Sequence, residues 1–227
     1  MTAKSLKITF YVNTFFFLIL TILFYFYSEL DIQASRLFYI EKEFLSERFT
    51  WIKVLRNYLK NLMIIIPSLA LIYLIIIRFN FFNKTRSLKK LRFKIACFGL
   101  IIGPIIGSGI IANLVFKENW GRARPIHIQE FGGDKQFTPA FVKTNQCKTN
   151  CSWISGETSA AFSFLAGAFV LKNRIFVVIN VILGLLVFFC RISMGGHFLS
   201  DNLFSIMFMV YIAVLYSTFS VKIFRRK

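Results

Sequence analysis

Residues 198–221 read FLSDNLFSIMFMVYIAVLYSTFSV, an apolar stretch whose one carboxylate, Asp201, stands near its start. About 20 mainly apolar residues at 1.5 Å rise cross ~30 Å of hydrocarbon, so this run is long enough to span a bilayer. Working back toward the N-terminus, five more runs occupy residues 8–27, 62–77, 95–116, 158–171 and 175–190, the fourth and fifth of them short. The expected architecture is a single all-α unit over residues 1–227, an integral membrane six-helix bundle. Composition agrees: 56% of the residues are hydrophobic and 17% are charged, against a quarter in an ordinary soluble domain, which that balance excludes. MTAKSLK and the run after it could pass for a cleaved leader, but the run is too long and no small-residue cleavage site follows, so it reads as a span.

The 28 Lys and Arg against 10 Asp and Glu leave a net charge of +18, which in a soluble protein would point to nucleic acid. Here the cations flank apolar runs, so anionic lipid headgroups are their expected counter-ions; no nucleic-acid partner is expected and no obligate protein partner is evident. With both termini placed in the cytoplasm, residues 1–7, 78–94, 172–174 and 222–227 carry fifteen basic residues and no acid. The opposite side then carries thirteen basic residues and all ten carboxylates, an asymmetry with the sign the positive-inside rule predicts, the acids being corroboration because they contribute little to that rule. In a Gram-negative host the inner membrane would hold the chain and the second side would face the periplasm. Two outer loops are long, residues 28–61 and 117–155. The first contains EKEFLSERFTWIKVLRNYLKNL, whose Phe44, Phe49, Trp51, Ile52, Leu55 and Leu59 recur at near-helical spacing, as in a helix lying in the interface or a loop packed on the bundle.

Chemistry gathers in three stretches at the outer ends of the third, fourth and sixth spans: KENWGRARP (117–125), SWISGETS (152–159) and CRISMGGHFLSD (190–201). Lys117, Arg124 and Arg191 can clamp the equatorial oxygens of a transferring phosphoryl group, and the planar fork of arginine matches phosphate oxygens two at a time. His197 and Asp201 are four apart, so on a helix they share a face; the carboxylate can take one ring N–H while the other ring nitrogen attacks phosphorus. Ser155 and Gly156 precede the fourth span, where free backbone N–H groups and the helix dipole favour an anion. No cofactor and no metal are expected: two histidines are too few for a dinuclear phosphatase site, and no Gly-Lys-Ser or Gly-Lys-Thr phosphate loop occurs.

This order of residues, Lys117 with Arg124 and Pro125, then Ser155 and Gly156, then Arg191, His197 and Asp201, resembles the type 2 phosphatidic acid phosphatase superfamily of metal-independent, six-span lipid phosphatases. The resemblance implies that His197 forms a phosphohistidine, that Asp201 supports it, and that Lys117, Arg124, Arg191 and Ser155 bind phosphate. It departs at the middle motif, where the usual histidine is replaced by Glu157. That carboxyl could protonate the leaving alcohol only with a raised pKa, against the pull of three cations. His127 is the other histidine, more in keeping with a surface position than with a substitute acid.

NWGRARP, EFGGDKQFTPAF, CKTNCSWISGE and GGHFLSD together resemble a narrower group, the bacterial lipid A 4'-phosphatases, in which an acidic residue also stands in the middle motif and a cysteine pair lies in the loop. The substrate so implied is a membrane lipid, lipid A, with loss of its 4'-phosphate; undecaprenyl pyrophosphate or a phosphatidyl phosphate is the alternative. A lipid-binding or transport protein with a degenerate site is the non-enzymatic one. Cys147 and Cys151 are expected to form a small disulfide in an oxidising compartment, with a metal site as the rival. Arg122 reads equally as an interface anchor or a substrate contact. Gly99, Gly103 and Gly107 form a small-residue stripe suited to close helix packing.

Overall fold

A computed structural model describes residues 1–79 and 87–225. Lys84, Arg86, Arg226 and Lys227, counted above on the inner side, lie outside the described residues. Helix α1, Ala3–Phe26, opens with the Thr2 hydroxyl accepting the Ser5 N–H and buries only Leu6, Asn13 and Phe24. A short helix α2, Leu30–Arg36, leads into a two-stranded hairpin, β1 (Tyr39–Ile40) antiparallel to β2 (Glu43–Phe44) with Tyr39 opposite Phe44. One turn, α3 (Leu45–Arg48), then gives way to α4, Thr50–Phe79.

Here the expected boundary is corrected. Residues 50–61, assigned to a loop or surface helix, are the first turns of α4, whose 30 residues extend about 45 Å, well beyond the hydrocarbon. Lys53, Arg56 and Lys60 lower the mean apolarity of this stretch, yet Ile52 and Leu59 are buried in a cluster with Phe164, Val187 and Cys190. Packing on the face that holds Ile52 and Leu59 carries the helix past Lys53 and Lys60, which lie off that face.

Helix α5, Leu88–Pro104, runs on without a break into a π-helical segment, Ile105–Lys117, and a last turn, α6 (Glu118–Trp120), closed by Gly121 at φ 70°. The glycine stripe on this rod does pack closely: a Cβ at Gly99 would lie 2.8 Å from the Gly167 backbone nitrogen, and one at Gly103 would strike the Ser163 carbonyl. The facing partner is a pair of short helices, α7 (Gly156–Ser163) and α8 (Leu165–Leu171), which are buried almost throughout. Helices α9, Arg174–Ser193, and α10, Leu199–Arg225, complete the bundle.

Among the described residues five helices are long and apolar enough to cross a membrane; the fourth expected span, residues 158–171, is the shorter α7–α8 pair. The outward faces of α1, α4 and α9 expose Phe15, Ile22, Leu69, Ile72, Ile179 and Ile182, side chains that only an apolar surrounding would cover at no cost. At one end of the bundle an aromatic cluster of Phe24, Phe116, Trp120, Trp153 and Phe204 fills the space between α1, α10 and the loop over residues 121–155. That end holds the residues singled out above.

Candidate active site

His197 stands in the five-residue connection between α9 and α10, where Gly195 adopts φ 59° and Gly196 lies against the Arg191 guanidinium. A Cβ on Gly196 would sit 2.5 Å from Arg191 Nη2, so only glycine lets the chain pass so close to that side chain. The ring is 1% exposed, and its Nδ1 lies 2.7 Å from the Ser152 carbonyl. A carbonyl can only accept, so Nδ1 carries the proton and Nε2 presents its lone pair. Burial first, then the charges of Arg191, Lys117 and Arg124, push the His197 pKa well below 6.5, which keeps the ring neutral and nucleophilic.

Asp201 was expected to take the ring N–H itself. Its nearer oxygen instead lies 3.7 Å from Nδ1, and it accepts from the Ser152 hydroxyl at 2.5 Å and from the Phe198 N–H at 2.8 Å. The carboxylate therefore acts on the imidazole chiefly through Ser152, whose hydroxyl it holds while the carbonyl of the same residue holds the ring. Its other oxygen meets Arg122 Nη1 at 2.6 Å.

Lys117, Arg124 and Arg191 stand close enough to feel one another's charge. Lys117 ends the π-helical segment and is 8% exposed, with Nζ 3.1 Å from the Asn150 amide oxygen. Arg124 places Nε and Nη2 at 3.2 and 2.8 Å from the Asn150 carbonyl. Arg191, on the last turn of α9, is 5% exposed, and its Nε has no partner among the described residues. An unpaired buried guanidinium nitrogen beside two further cations is a place for an anion. Ser155 caps α7, with Oγ 3.4 Å from the Thr158 N–H, and Gly156 leaves room for Lys117: a Cβ there would lie 3.3 Å from Nζ. The first turn of α7 thus lies against the lysine.

Residues 92–225, more than half of the sequence, match the PAP2 superfamily. The chain belongs to the PAP2 superfamily. It is 38% identical over 128 residues to the lipid A 4'-phosphatase of Francisella tularensis subsp. novicida (strain U112), which is 55% of this chain and 57% of the relative. Against the lipid A 4'-phosphatase of Rhizobium leguminosarum it is 38% identical over 123 residues, 53% of this chain and 50% of the relative. The like-named protein of Rhizobium etli (strain ATCC 51251 / DSM 11541 / JCM 21823 / NBRC 15573 / CFN 42) is 35% identical over 123 residues, 53% of this chain and 45% of the relative. The chain spans about half the length of the curated relatives it matches. No solved structure matches.

Two residues of this PAP2 site escaped the sequence reading. Arg56 of α4 forks onto Glu157, Nε to Oε2 at 3.0 Å and Nη2 to Oε1, while Arg191 Nη1 stands 3.6 Å from the same Oε1. A signal existed: Arg56 falls on the same helical face as Ile52 and Leu59, both buried. Asp31 of α2 is the other, fully buried against Arg122.

Arg122 is corrected as a substrate contact. It is 0% exposed, and its three nitrogens are taken by the Thr138 carbonyl, Asp31, Asp201 and Ser200. The Phe198 ring, 4.2 Å from its guanidinium carbon, closes one face of the group. This arginine faces the protein, not a ligand. The sulfurs of Cys147 and Cys151 are bonded, and Asn150, between them, presents the oxygens that hold Lys117 and Arg124. His127 is exposed. Among the described residues no three or more His, Cys, Asp or Glu side chains gather as metal ligands would.

Proposed function

We propose that this protein is a six-span phosphatase of a bacterial inner membrane, both termini cytoplasmic, that removes the 4'-phosphate of lipid A on the periplasmic face without a metal. The observation that carries this reading is the convergence of a buried, neutral His197 with Lys117, Arg124 and Arg191 at one end of the bundle. The names of the relatives support the substrate, and the basic residues flanking the opposite end support the orientation.

His197 Nε2 attacks phosphorus, the bond to the sugar oxygen breaks, and charge on the equatorial oxygens is held by the three cations and the first turn of α7. The leaving oxygen needs a proton, and Glu157 is the candidate donor. Before substrate binds, Arg56 would hold Glu157 as a carboxylate. A bound phosphate dianion competes for that guanidinium and, as a like charge, favours the protonated carboxyl. Water then attacks the phosphohistidine, Glu157 takes its proton, and inorganic phosphate leaves. Glu157→Gln should cost about 100-fold or more in kcat on a sugar phosphate and far less on p-nitrophenyl phosphate, whose leaving group needs no proton. Equal losses on both substrates would remove Glu157 from the acid role.

The deciding experiment is mass spectrometry of lipid A from a bacterium expressing this protein, with a His197→Ala control and fragmentation to locate any missing phosphate. Loss at the 4' position, absent in the control, is expected. Unchanged lipid A from well-inserted protein would refute this substrate and turn the assay to undecaprenyl pyrophosphate and phosphatidyl phosphates.

A further inference from the structure

Asp31 lies on α2, outside the segment that carries the family match, and no part of it reaches solvent. Its Oδ2 accepts from Arg122 Nη2 at 2.7 Å and from the Ser200 hydroxyl at 2.6 Å, and its Oδ1 accepts from the Ser200 N–H at 2.8 Å. Arg122 carries the connection on, with Nη1 2.6 Å from Asp201 Oδ1. The second Asp201 oxygen takes the Ser152 hydroxyl at 2.5 Å, and the Ser152 carbonyl takes Nδ1–H of His197 at 2.7 Å. The contacts run without a gap from α2 to the nucleophile, and Asp31, Arg122, Ser152, Ser200 and Asp201 are all 0% exposed.

Burying two carboxylates and a guanidinium is costly, and a paired Asp201 alone would need only one counter-ion. The second carboxylate changes two things. A guanidinium gripped from opposite ends cannot swing about its terminal bond, so Asp201 and Ser152 inherit a fixed place. With both carboxylates ionised the trio would carry one net negative charge beside the ring, with Asp201 Oδ2 3.7 Å from Nδ1, opposing the positive field of Arg191, Lys117 and Arg124. That charge is most useful when the ring becomes positive on taking phosphorus.

We propose that Asp31 is a positioning residue for the His197 nucleophile: it holds Arg122 so that Asp201 and the Ser152 carbonyl keep the ring in its Nδ1–H form with Nε2 bare. The inference rests on the phosphohistidine reading above.

The test uses full-length Asp31→Asn in detergent with lipid A as substrate, beside wild type and His197→Ala, with active sites counted as phosphoenzyme trapped in alkali. Turnover per active site should fall about tenfold or more while KM stays within about twofold, since the loss lies in orienting the nucleophile and not in binding. A second readout needs no substrate. The chain has 2 histidines, so nitrogen-15 imidazole spectra assigned with His197→Ala report the His197 tautomer directly. Wild type should show one Nδ1–H state and Asp31→Asn a mixture. Fewer active sites with unchanged turnover per site and a single tautomer would overturn the proposal, leaving Asp31 as structural support only. If Asp31→Asn does not fold, Ser200→Ala decides: it removes a donor to Asp31 and keeps every charge, so about a threefold loss with a mixed tautomer supports the proposal. A Ser200→Ala protein like wild type in both readouts overturns it. Wild-type turnover no greater than that of His197→Ala would overturn the phosphohistidine reading and this inference together.

Discussion

His197→Ala should lose turnover by about 10⁴-fold or more and take up no label from phosphorylated substrate, because under the proposed mechanism the residue removed is the one whose lone pair makes the covalent bond. The ring's environment makes the expectation strict. Lys117, Arg124 and Arg191, the proposed phosphate clamp, are untouched by the substitution, so KM or product inhibition by phosphate should change little while kcat collapses. The variant also leaves the Ser152 carbonyl without its donor, a cost of about 1–3 kcal/mol that calls for a check on the amount of folded protein. Retained turnover in well-folded His197→Ala would end the covalent mechanism. The protonation state gives a companion result. Burial and the neighbouring cations lower the folded-state pKa, so the ring stays neutral as pH falls through 6.5 and charges only well below it. Nitrogen-15 spectra of His197 that titrate with a midpoint near 6.5 would contradict that environment.

Arg122→Leu should be the most destabilising single change at this end of the bundle. Wild type buries Asp31 and Asp201 on either side of one guanidinium; the leucine leaves two fully buried carboxylates facing a void with no cation between them. Removing one partner of a buried ion pair costs about 3–5 kcal/mol, a large part of the 5–15 kcal/mol that holds a typical domain together. Thermal unfolding in detergent should show a much lower midpoint. Arg122→Lys, which keeps a charge but cannot reach both carboxylates in the plane of a fork, should fall between. A melting temperature for Arg122→Leu within a few degrees of wild type would mean that the trio is not a structural brace.

How legible the site was depended on how far apart in sequence its members stand. His197 and Asp201 lie four positions apart, and Lys117 and Arg124 seven, so spacing alone brought their chemistry into view. Arg56 meets Glu157 across 101 positions and Asp31 meets Arg122 across 91, distances over which a sequence shows no contact. The partner of Nδ1 was missed for another reason: it is a backbone carbonyl, and every residue has one. Among the helices, the start of α4 was hidden because its first turns carry Lys53, Arg56 and Lys60 among the apolar residues, Arg56 even on the inward face with Ile52 and Leu59, so hydropathy averaged over a window understated them. The α7–α8 pair was found but is short, because Ala, Gly and Ser let it sink among its neighbours.

The family match begins at residue 92, yet α2 and α4 each send a charged side chain across that boundary into the site. Cut out or grafted onto a foreign pair of leading helices, the matched segment would carry Glu157 without its guanidinium and Arg122 with one carboxylate in place of two. What a family match outlines is therefore not a transplantable cassette: the residues of this chain ahead of position 92 supply Asp31 and Arg56, the partners that hold Arg122 and Glu157 in place.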